Sequence, residues 1–389
     1  MIKNEVLEIL PEVIEWRRYL HKNPEIGFDL DNTVKYVCEQ LDKMGIPYNV
    51  NVGSKSSIIA EIDGANEGKT VAVRADMDAL PIEENTGLEF ESKNGCMHAC
   101  GHDAHTAMLL GVAKLLNSKK DKIKGKVKLI FQPAEELGTG SKGICEAGVL
   151  KDVDEIVGLH CGNIAGAGVA GEMYFSRGSM MATMDKFSIK VIGKGAHGAY
   201  PSLSKDPIVI GAEIVSGIQN IISREIEGTE PAIITIGKFH SGTAFNIIPG
   251  EAIIEGTSRT VTKETRDFVY RRIGEVAKGI AKAFRADAEY EFFFQPPPVV
   301  NDYDVASRLI ESAKKLYPDS VKEMTKPSMG GEDFAWYMEE VPGAFFLLQN
   351  PMEIDGKIWA HHNPKFALDE KQFEKGIAVV VQFVMDELS

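Results

Sequence analysis

The chain has 389 residues, of which 44% are hydrophobic and 26% are charged, and its formal net charge is −14. This length and composition are typical of a globular protein of two or three domains. The acidic balance argues against a nucleic acid partner, because it repels a phosphate backbone, and it supplies no polybasic stripe for anionic lipid.

The first part of the chain alternates helical and extended patterns. Apolar residues at three-to-four spacing predict helices, and short apolar or alternating runs predict strands. In chain order these elements are a helix at 6–19, strands at 57–61 and 70–74, a helix at 106–116, and strands at 126–131 and 155–159. Strands that alternate with helices predict a layered α/β sheet.

The pattern changes near residue 185. A strand-rich segment starts at Lys186, and two long helical patterns follow at 207–223 and 262–284. Gln295-Pro296-Pro297-Pro298 then closes the segment as a stiff, extended linker. After residue 300 the α/β alternation resumes, which indicates that one domain is interrupted by another.

We therefore predict a discontinuous catalytic domain made of residues 1–184 and 298–389, with residues 185–297 inserted between its two parts. The fold class is α/β. The larger domain is expected to be a layered αβα structure with a mixed sheet, and the inserted domain is expected to be α+β.

The cysteines and the apolar runs bear on location. The chain has five cysteines, an odd number that does not resemble a disulfide framework. No stretch approaches eighteen uninterrupted apolar residues. The first five residues, Met1-Ile2-Lys3-Asn4-Glu5, already include an acidic side chain, which is not typical of a signal peptide. We expect a cytoplasmic protein that does not contact a membrane.

Polar side chains follow three of the predicted strands. Asp76 and Asp78 come after the second strand, Glu135 and Glu136 after the third, and His160 after the fourth. In an open α/β sheet, ligands bind beyond the carboxyl ends of the strands. These residues are therefore expected to converge, although they lie far apart in the sequence.

A histidine-rich segment, residues 97–105, precedes the second predicted helix. Cys100 and His102 lie two residues apart on what is expected to be a loop, so both can turn toward one ion, while His105 is expected to begin the helix. A single histidine is more often structural than a ligand. Three histidines and a thiol beside a carboxylate pair favour a metal site.

The adjacent Glu135 and Glu136 point in different directions, so one can bind a metal ion while the other stands over the water that the ion activates. A pair of glutamates is usually solvated surface, but this pair follows a buried strand, which favours burial. A divalent ion lowers the pKa of water, and the free carboxylate can take the proton and pass it to a leaving amine. The predicted chemistry is hydrolysis of an amide.

Six motifs resemble those of a known family: Arg18–Glu25, Arg74–Pro81, the segment around Cys100, Gln132–Glu136, Gly158–His160 and His362–Phe366. Together they resemble the M20 metallopeptidase family, over nearly the whole chain. The resemblance is to its amidohydrolase branch, which includes aminoacylases, hippurate hydrolases, auxin-conjugate hydrolases and N-acetyldiaminopimelate deacetylases.

The resemblance implies that two divalent ions are bound by five side chains, Cys100, His102, Glu136, His160 and His362. It implies that Glu135 is the general base and that Asp76 is a second catalytic carboxylate, which orients a ligand. Arg74 stands where the wider family has a metal-binding histidine, and the Cys100 thiolate compensates.

Two points about this site stay open in the sequence. Sulfur favours Zn²⁺ or Co²⁺, whereas the branch is associated with Mn²⁺, and Ni²⁺ is a further alternative. His361 competes with His362 as a ligand, and we choose His362 because its spacing to Pro364 and Phe366 matches the family motif.

The inserted segment resembles the lid and dimerisation domain of the family, so we expect a homodimer formed through it. By resemblance, Asn246 helps to hold the substrate and His197 reaches the tetrahedral oxyanion, in one reading from a neighbouring subunit. Arg259 can bind a free carboxylate through two hydrogen bonds. The alternative is that Asn246 caps a turn and Arg259 makes a surface ion pair.

The segment Met329–Phe334 also matches the branch. Its glycines, Gly330 among them, would let the backbone approach the substrate closely. The alternative is that Glu332 and Asp333 simply begin the following helix, where acidic side chains are favoured by the helix dipole.

These residues, together with the resemblance, imply a binuclear metal-dependent amidohydrolase that hydrolyses N-acyl-L-amino acids or small peptides with a metal-activated water. Two other enzymes stay open, an N-acetyldiaminopimelate deacetylase of lysine biosynthesis and a metallo-dipeptidase. A ligand-binding protein without turnover is a third alternative, and intact Glu135 argues against it. The preferred acyl group and amino acid are not determined by the sequence.

Overall fold

The computed structural model describes residues 2–164 and 168–389. The α-helices are α1 Ile2–Lys22, α2 Asp31–Met44, α3 His102–Asn117, α4 Gly140–Glu146, α5 Pro207–Asn220, α6 Lys263–Ala283, α7 Tyr303–Leu316, α8 Ala335–Glu340 and α9 Phe373–Leu388. Shorter helical turns include Glu135–Leu137.

The strands of the first half are β1 Tyr48–Val50, β2 Ile58–Asp63, β3 Asn66–Asp76, β4 Lys124–Gln132, β5 Glu155–Gly162, β6 Met173–Phe175, β7 Ser179–Met181, β8 Asp185–Ile192 and β9 Ala196–His197. Those of the second half are β10 Ala232–Ser241, β11 Ile247–Ile248, β12 Glu251–Thr260, β13 Asp287–Phe293, β14 Val299–Val300, β15 Val321–Glu323, β16 Gly343–Gln349, β17 Glu353–Ile354 and β18 Lys357–Ile358.

The chain divides into two compact units. Unit 1 consists of Met1–Met180, Val300–Ser328 and Asp333–Ser389. Unit 2 consists of Met181–Val299 together with the short segment Met329–Glu332.

Unit 1 is built around a mixed sheet whose strand order is β1-β2-β4-β3-β5-β16-β6-β15. The central strands β4, β3, β5 and β16 run parallel to one another, whereas β2 pairs antiparallel with β1 and with β4. Every residue of β5 and β16 is buried, as expected for parallel strands covered on both faces. This mixed α/β sheet confirms the predicted fold class.

Helices α1, α3 and α9 pack against one another, and α3 and α9 also pack on β3. On α1 the buried residues Val6, Val13, Trp16 and Leu20 recur at helical spacing, so one face of the helix enters the core. Among the described residues, no helix has both the length and the apolar character that crossing a bilayer requires.

Parallel pairing determines where a site can form in unit 1. Because β3, β4 and β5 run in the same direction, their carboxyl ends, at Asp76, Gln132 and Gly162, lie at one edge of the sheet. The loops that leave this edge carry the polar residues singled out in the sequence.

Unit 2 is an α+β structure with its own core. Its antiparallel sheet has the order β10-β12-β8-β13, and α5 and α6 pack on it. The segment expected to be an extended linker is anchored: buried Asp185 accepts hydrogen bonds from the Arg266 guanidinium and from the Gln295 N–H at 2.9 Å. Pro296–Pro298 are buried rather than solvated.

A buried glutamate lies at the far end of β5 from His160. Glu155 is 3% exposed, and Arg308 lies between it and Glu387, donating to both carboxylates. Burial and the neighbouring Glu387 raise the pKa of Glu155 from about 4.5 to about 7. The folded protein therefore holds a proton on Glu155 at pH values where the unfolded chain has lost it.

The sign of the pH effect follows from this raised pKa. A raised carboxyl pKa contributes stability that is fully present below pH ~4.5 and is lost as the pH rises toward 7. The wild type should therefore lose stability as the pH rises from 5 to 8, whereas Glu155→Gln, which stays neutral, should not lose this contribution. The free energy of unfolding of the variant, relative to that of the wild type, should increase by roughly 2 kcal/mol over this pH range. Thermal unfolding at both pH values measures this difference. Exposed Glu311→Gln is the control, and parallel pH profiles for Glu155→Gln and the wild type would contradict the prediction.

Candidate metal centre

The start of α3 positions Cys100 and His102. Gly101 has a φ of +92°, a left-handed conformation that reverses the chain just before the helix begins. The helix starts at His102 itself, so the expectation of a loop at His102 and a helix start at His105 was wrong by one turn. His102 and His105, three residues apart, consequently lie on the same face of α3.

The ring of His102 has its two nitrogens in different environments. Nδ1 donates to the backbone carbonyl of Asp78 at 2.9 Å, so in the neutral ring Nε2 carries a lone pair. The side chain is fully buried, and among the described residues Nε2 has no hydrogen-bond partner. A buried nitrogen lone pair without a partner, oriented by a carbonyl behind it, is the arrangement expected of a metal-binding histidine.

Three backbone groups at the end of β5 determine the tautomers of three more histidines. The carbonyl of Cys161 accepts from His160 Nδ1 at 3.0 Å, while the N–H of Cys161 donates to His105 Nε2 at 2.9 Å. The N–H of Asn163 donates to His361 Nε2 at 3.0 Å. The neutral ring of His160 thus keeps its Nε2 lone pair clear of the backbone and facing Cys100 Sγ, whereas backbone N–H groups already occupy the Nε2 lone pairs of His105 and His361.

His105 instead orients Asp76. Its Nδ1 donates to Asp76 Oδ1 at 2.6 Å, and Arg74 Nη1 donates to Asp76 Oδ2 at 2.9 Å. Burial alone would raise the pKa of Asp76, but the neighbouring His102, Arg74 and His105 hold it well below its usual range. Asp76 is therefore a fixed negative charge, and its Oδ2 lies 3.8 Å from His102 Nε2.

Asp78 shapes the turn that carries the two glutamates. Its carboxylate accepts from the N–H groups of Glu135 at 2.9 Å and Glu136 at 3.2 Å, after Ala134 has taken a left-handed φ of +56°. Both glutamates thus enter a short helical turn directly beyond β4. Glu135 is buried and Glu136 is partly buried.

His362 approaches the same place from a late part of the chain. Its backbone N–H donates to the Ala99 carbonyl at 2.9 Å, and its φ is +62°. Its Nε2 lies 3.4 Å from Glu136 Oε1, and this carboxylate raises the pKa of His362.

The potential ligand atoms form overlapping groups in which all members lie within 4.8 Å of one another. Three of these groups are Cys100 with His160 and His361, Cys100 with Glu136 and His362, and His102 with Glu135 and Glu136. Cys100 belongs to two of them, and its Sγ is 3.4 Å from His160 Nε2. Nitrogen, sulfur and carboxylate donors at these separations fit divalent transition metals, and the buried, unpartnered His102 Nε2 supports that fit.

A buried charge network that the sequence did not reveal lies beneath the start of α3. Asp103 Oδ2 is 2.7 Å from both Arg17 Nε and His21 Nδ1, and His21 Nε2 is 3.0 Å from Glu84 Oε1. His21, within the Arg18–Glu25 motif, is therefore part of this charge network. Glu25 is a capping residue, because it accepts the N–H groups of Asn32 and Thr33 at the start of α2.

A second network lies behind the glutamate pair. Asp333 accepts from Arg74 Nη2 at 2.8 Å, from Gln132 Nε2 at 2.7 Å and from the Ser141 N–H at 3.1 Å. Its own N–H donates to Glu135 Oε1 at 3.4 Å. Asp333 is thus more than a helix-starting acid, since it links three segments and contacts the proposed general base.

Unit 2 contains the remaining residues singled out in the sequence. His197 is exposed on β9, which pairs with β11 so that the Asn246 carbonyl accepts from the Gly198 N–H at 2.8 Å. The Ala199 N–H donates to His197 Nδ1 at 3.1 Å, so Nε2 carries the ring proton. Gly330 lies in the segment 329–332, where its carbonyl accepts from the Ala182 N–H.

Arg259 lies on β12 and is half-buried. Its Nη1 donates to Thr257 Oγ1 at 2.5 Å and to the Ser258 carbonyl at 3.2 Å. Within the described parts of the chain, no carboxylate lies at ion-pairing distance from it, which does not support the alternative of a surface ion pair. Burial lowers the pKa of Arg259, and an arginine remains charged despite such a shift.

Residues 72–386 match the family model described as peptidase family M20/M25/M40. The chain is 41% identical over 379 residues to thermostable carboxypeptidase 1 of Saccharolobus solfataricus, covering 96% of this chain and 95% of that protein. It is 43% identical over 305 residues to an N-acyl-L-amino acid amidohydrolase of Geobacillus stearothermophilus, covering 78% of this chain and 81% of the relative.

A solved structure gives the same relationship. The fold matches the crystal structure of a Bacillus subtilis protein described as a dinuclear metal binding peptidase from the M20 family, with a TM-score of 0.86 and 36% identity. The match covers 98% of this chain and 99% of that one.

Proposed function

Because the chain belongs to peptidase family M20/M25/M40, we propose that it is a binuclear metal-dependent amidohydrolase that hydrolyses the amide bond of N-acyl-L-amino acids. The observation that carries this proposal is the cluster of donor atoms at the carboxyl edge of the unit 1 sheet, with the carboxylate of Glu135 beside it. The carboxypeptidase and amidohydrolase relatives are also named as hydrolases of amide bonds.

The proposed ligands of the two ions are Cys100, His102, Glu136, His160 and His362. His102 and His160 would bind through Nε2, because a backbone carbonyl holds Nδ1 of each ring. His105 and His361 are left out, because a backbone N–H already occupies Nε2 of each, which leaves the proton of each neutral ring on Nδ1. His362 is preferred over His361 for this reason as well as for its spacing.

The ions, when bound, would polarise the amide carbonyl and lower the pKa of a water molecule. Glu135 would take a proton from that water and deliver it to the leaving nitrogen, which makes this carboxylate both base and acid. The Asp333 N–H at Glu135 Oε1 would hold the carboxylate in place. Asp76, fixed by Arg74 and His105, would supply negative charge beside the proposed metal-binding nitrogen, His102 Nε2.

The relatives suggest the class of substrate. A carboxypeptidase and an N-acyl-L-amino acid amidohydrolase both release an amino acid whose α-carboxylate is free. We propose that Arg259, half-buried and without a carboxylate partner in residues 2–164 and 168–389, binds this carboxylate. We further propose that Asn246 and Gly330 help to hold the substrate and that His197 Nε2–H stabilises the oxyanion. Small peptides with a free carboxyl terminus are the second candidate substrates.

The setting of the enzyme is also a proposal. Five cysteines without disulfides, one of them a proposed metal ligand, favour a reducing compartment such as the cytoplasm. The sulfur donor favours Zn²⁺ or Co²⁺, whereas the resemblance to the amidohydrolase branch favours Mn²⁺, and Ni²⁺ is a further alternative. Unit 2, the proposed lid, would form a homodimer, and β10 at the edge of its sheet is a candidate for strand pairing.

The test of this function is turnover by protein loaded with Mn²⁺, Zn²⁺ or Co²⁺. We expect hydrolysis of N-acetyl and N-benzoyl amino acids, slower hydrolysis of dipeptides, and loss of activity on chelation. N-acetyldiaminopimelate is assayed beside them, and a strong preference for it would identify the dedicated deacetylase instead. Preparations that bind metal but cleave none of these amides would contradict the proposal.

The ligand assignment gives a separate prediction. Replacing His160 or His362 by Ala should weaken binding of at least one ion by about 10²-fold or more, because removing a ligand should cost at least as much as removing a group that orients one. Metal content after gel filtration and competition with a chelator measure the effect. His240→Ala, in unit 2, is the control, and an unchanged metal content in His362→Ala would remove His362 from the ligand set.

A further inference from the structure

The side chain of His361 lies beside the proposed metal centre, but it is not one of the five proposed ligands. Its Nδ1 is 3.7 Å from Cys100 Sγ, and its Nε2 accepts the N–H of Asn163 at 3.0 Å. A backbone N–H can only donate, so His361 Nε2 must carry a lone pair. In the neutral ring the proton therefore sits on Nδ1, and it faces the sulfur of Cys100.

The alternative, that His361 binds the ion through Nδ1, conflicts with this geometry. It would require the ring proton to move to Nε2, which would set two donors, the ring N–H and the Asn163 N–H, against each other across 3.0 Å. The Cys100 sulfur accepts a hydrogen bond readily once it is a thiolate, as metal binding requires. The contact between His361 Nδ1 and Cys100 Sγ is therefore better explained as a hydrogen bond to a metal ligand than as metal binding by His361 itself.

The ring is held in this orientation from several sides. Phe366 packs on it with ring centroids 4.5 Å apart, and the His160 ring lies edge-on at 5.2 Å. Gly162, with a φ of +135°, leaves room for it, because a Cβ there would come within 2.3 Å of His361 Cε1 and Nε2. Such a packed ring cannot rotate freely to exchange its two nitrogens.

We propose that His361 is a positioning residue that donates its Nδ1–H to the Cys100 thiolate and thereby moderates this thiolate as a metal ligand. The inference rests on the proposed function, because it takes Cys100 to be a ligand. A hydrogen bond to a thiolate stabilises the sulfur lone pair, which lowers its donation to the metal and favours the deprotonated form. Loss of the bond should therefore change the metal–sulfur bond without removing a ligand.

Two substitutions separate the contact of Nδ1–H with Cys100 from the contact of Nε2 with the Asn163 N–H. His361→Asn places an amide N–H close to the position of Nδ1, so it keeps the donor to Cys100. His361→Gln reaches the position of Nε2, so it keeps a partner for the Asn163 N–H but loses the donor. The two variants are matched in polarity, and they differ in which contact they retain.

The experiment uses Co²⁺-loaded enzyme, in which a cobalt–thiolate bond gives a sulfur-to-metal charge-transfer absorption band. We expect this band to be in the same position in the wild type and in His361→Asn, and to move to lower energy in His361→Gln. The same number of ions should be bound at saturation in all three proteins, because neither variant removes a proposed ligand.

Several results would overturn the inference. An unshifted band in His361→Gln, or an equal shift in both variants, would show that the donor does not matter. Loss of one cobalt ion in both variants would make His361 a ligand. A wild-type spectrum without the charge-transfer band would overturn the proposed ligand set and this inference with it, whereas the first three results leave the proposed hydrolase intact.

Discussion

Replacement of Glu135 by Gln should lower kcat on N-acyl amino acids by about 10²-fold to 10⁴-fold while both metal ions stay bound. Gln has the shape of Glu and can still accept from the Asp333 N–H that lies 3.4 Å from Glu135 Oε1, so the turn at Glu135–Leu137 should be kept. The variant cannot take up a proton from water or pass one to the leaving amine. The loss should therefore appear in kcat, with little change in KM.

Two comparisons make this result specific. Glu146→Gln, an exposed position on α4, should behave as the wild type. Glu136→Gln removes a proposed ligand, so it should lower the metal content as well as the activity. If Glu135→Gln retained wild-type turnover at full metal content, Glu135 would not be the general base and the proposed mechanism would be wrong.

The fold class could be predicted because strand and helix periods differ clearly in this chain. The strand at 70–74 and the helix at 106–116 both exist, with longer bounds. Helix α2 was missed, although Val34, Val37 and Leu41 have helical spacing and Gly45 ends the helix with a left-handed φ of +67°. The early start of α3 was missed because it depends on Gly101, whose φ is not visible in an apolar pattern.

The convergence at the metal centre could be predicted from strand ends alone, because parallel strands bring their carboxyl ends to one edge. What could not be predicted is which nitrogen of each histidine is available. That choice is made by the N–H and carbonyl groups of residues 161–163 and by the Asp78 carbonyl. Almost every residue has the same backbone N–H and carbonyl groups, so the sequence does not indicate which of them contacts a given histidine nitrogen.

The role of Asp333 illustrates the same limit. The sequence left it between a helix start and a substrate contact, and the structure places its carboxylate at the junction of Arg74, Gln132 and Ser141. These partners are separated from it by 259, 201 and 192 positions in the chain. Pairing over such distances follows from the sheet order, which a single sequence does not specify.

Replacement of Arg259 by Met should lower kcat/KM on N-acetyl amino acids by about 10²-fold to 10³-fold, as expected from the loss of two charge-assisted hydrogen bonds. The guanidinium is half-buried and has no carboxylate partner among the described residues, so its charge is available for a substrate. Arg259→Lys keeps the charge but not the planar pair of donors, and it should recover part of the loss. Arg271→Met, on an exposed face of α6, is the control.

A second substrate separates binding of the carboxylate from other effects of the substitution. An N-acetyl alkylamine has the same scissile amide but no α-carboxylate, so the wild type should cleave it poorly and Arg259→Met should cleave it no worse. If Arg259 instead supported unit 2 through Thr257 and Ser258, both substrates would lose activity to the same extent. The ratio of kcat/KM for the two substrates therefore decides whether Arg259 selects N-acylated amino acids or stabilises the sheet that carries it.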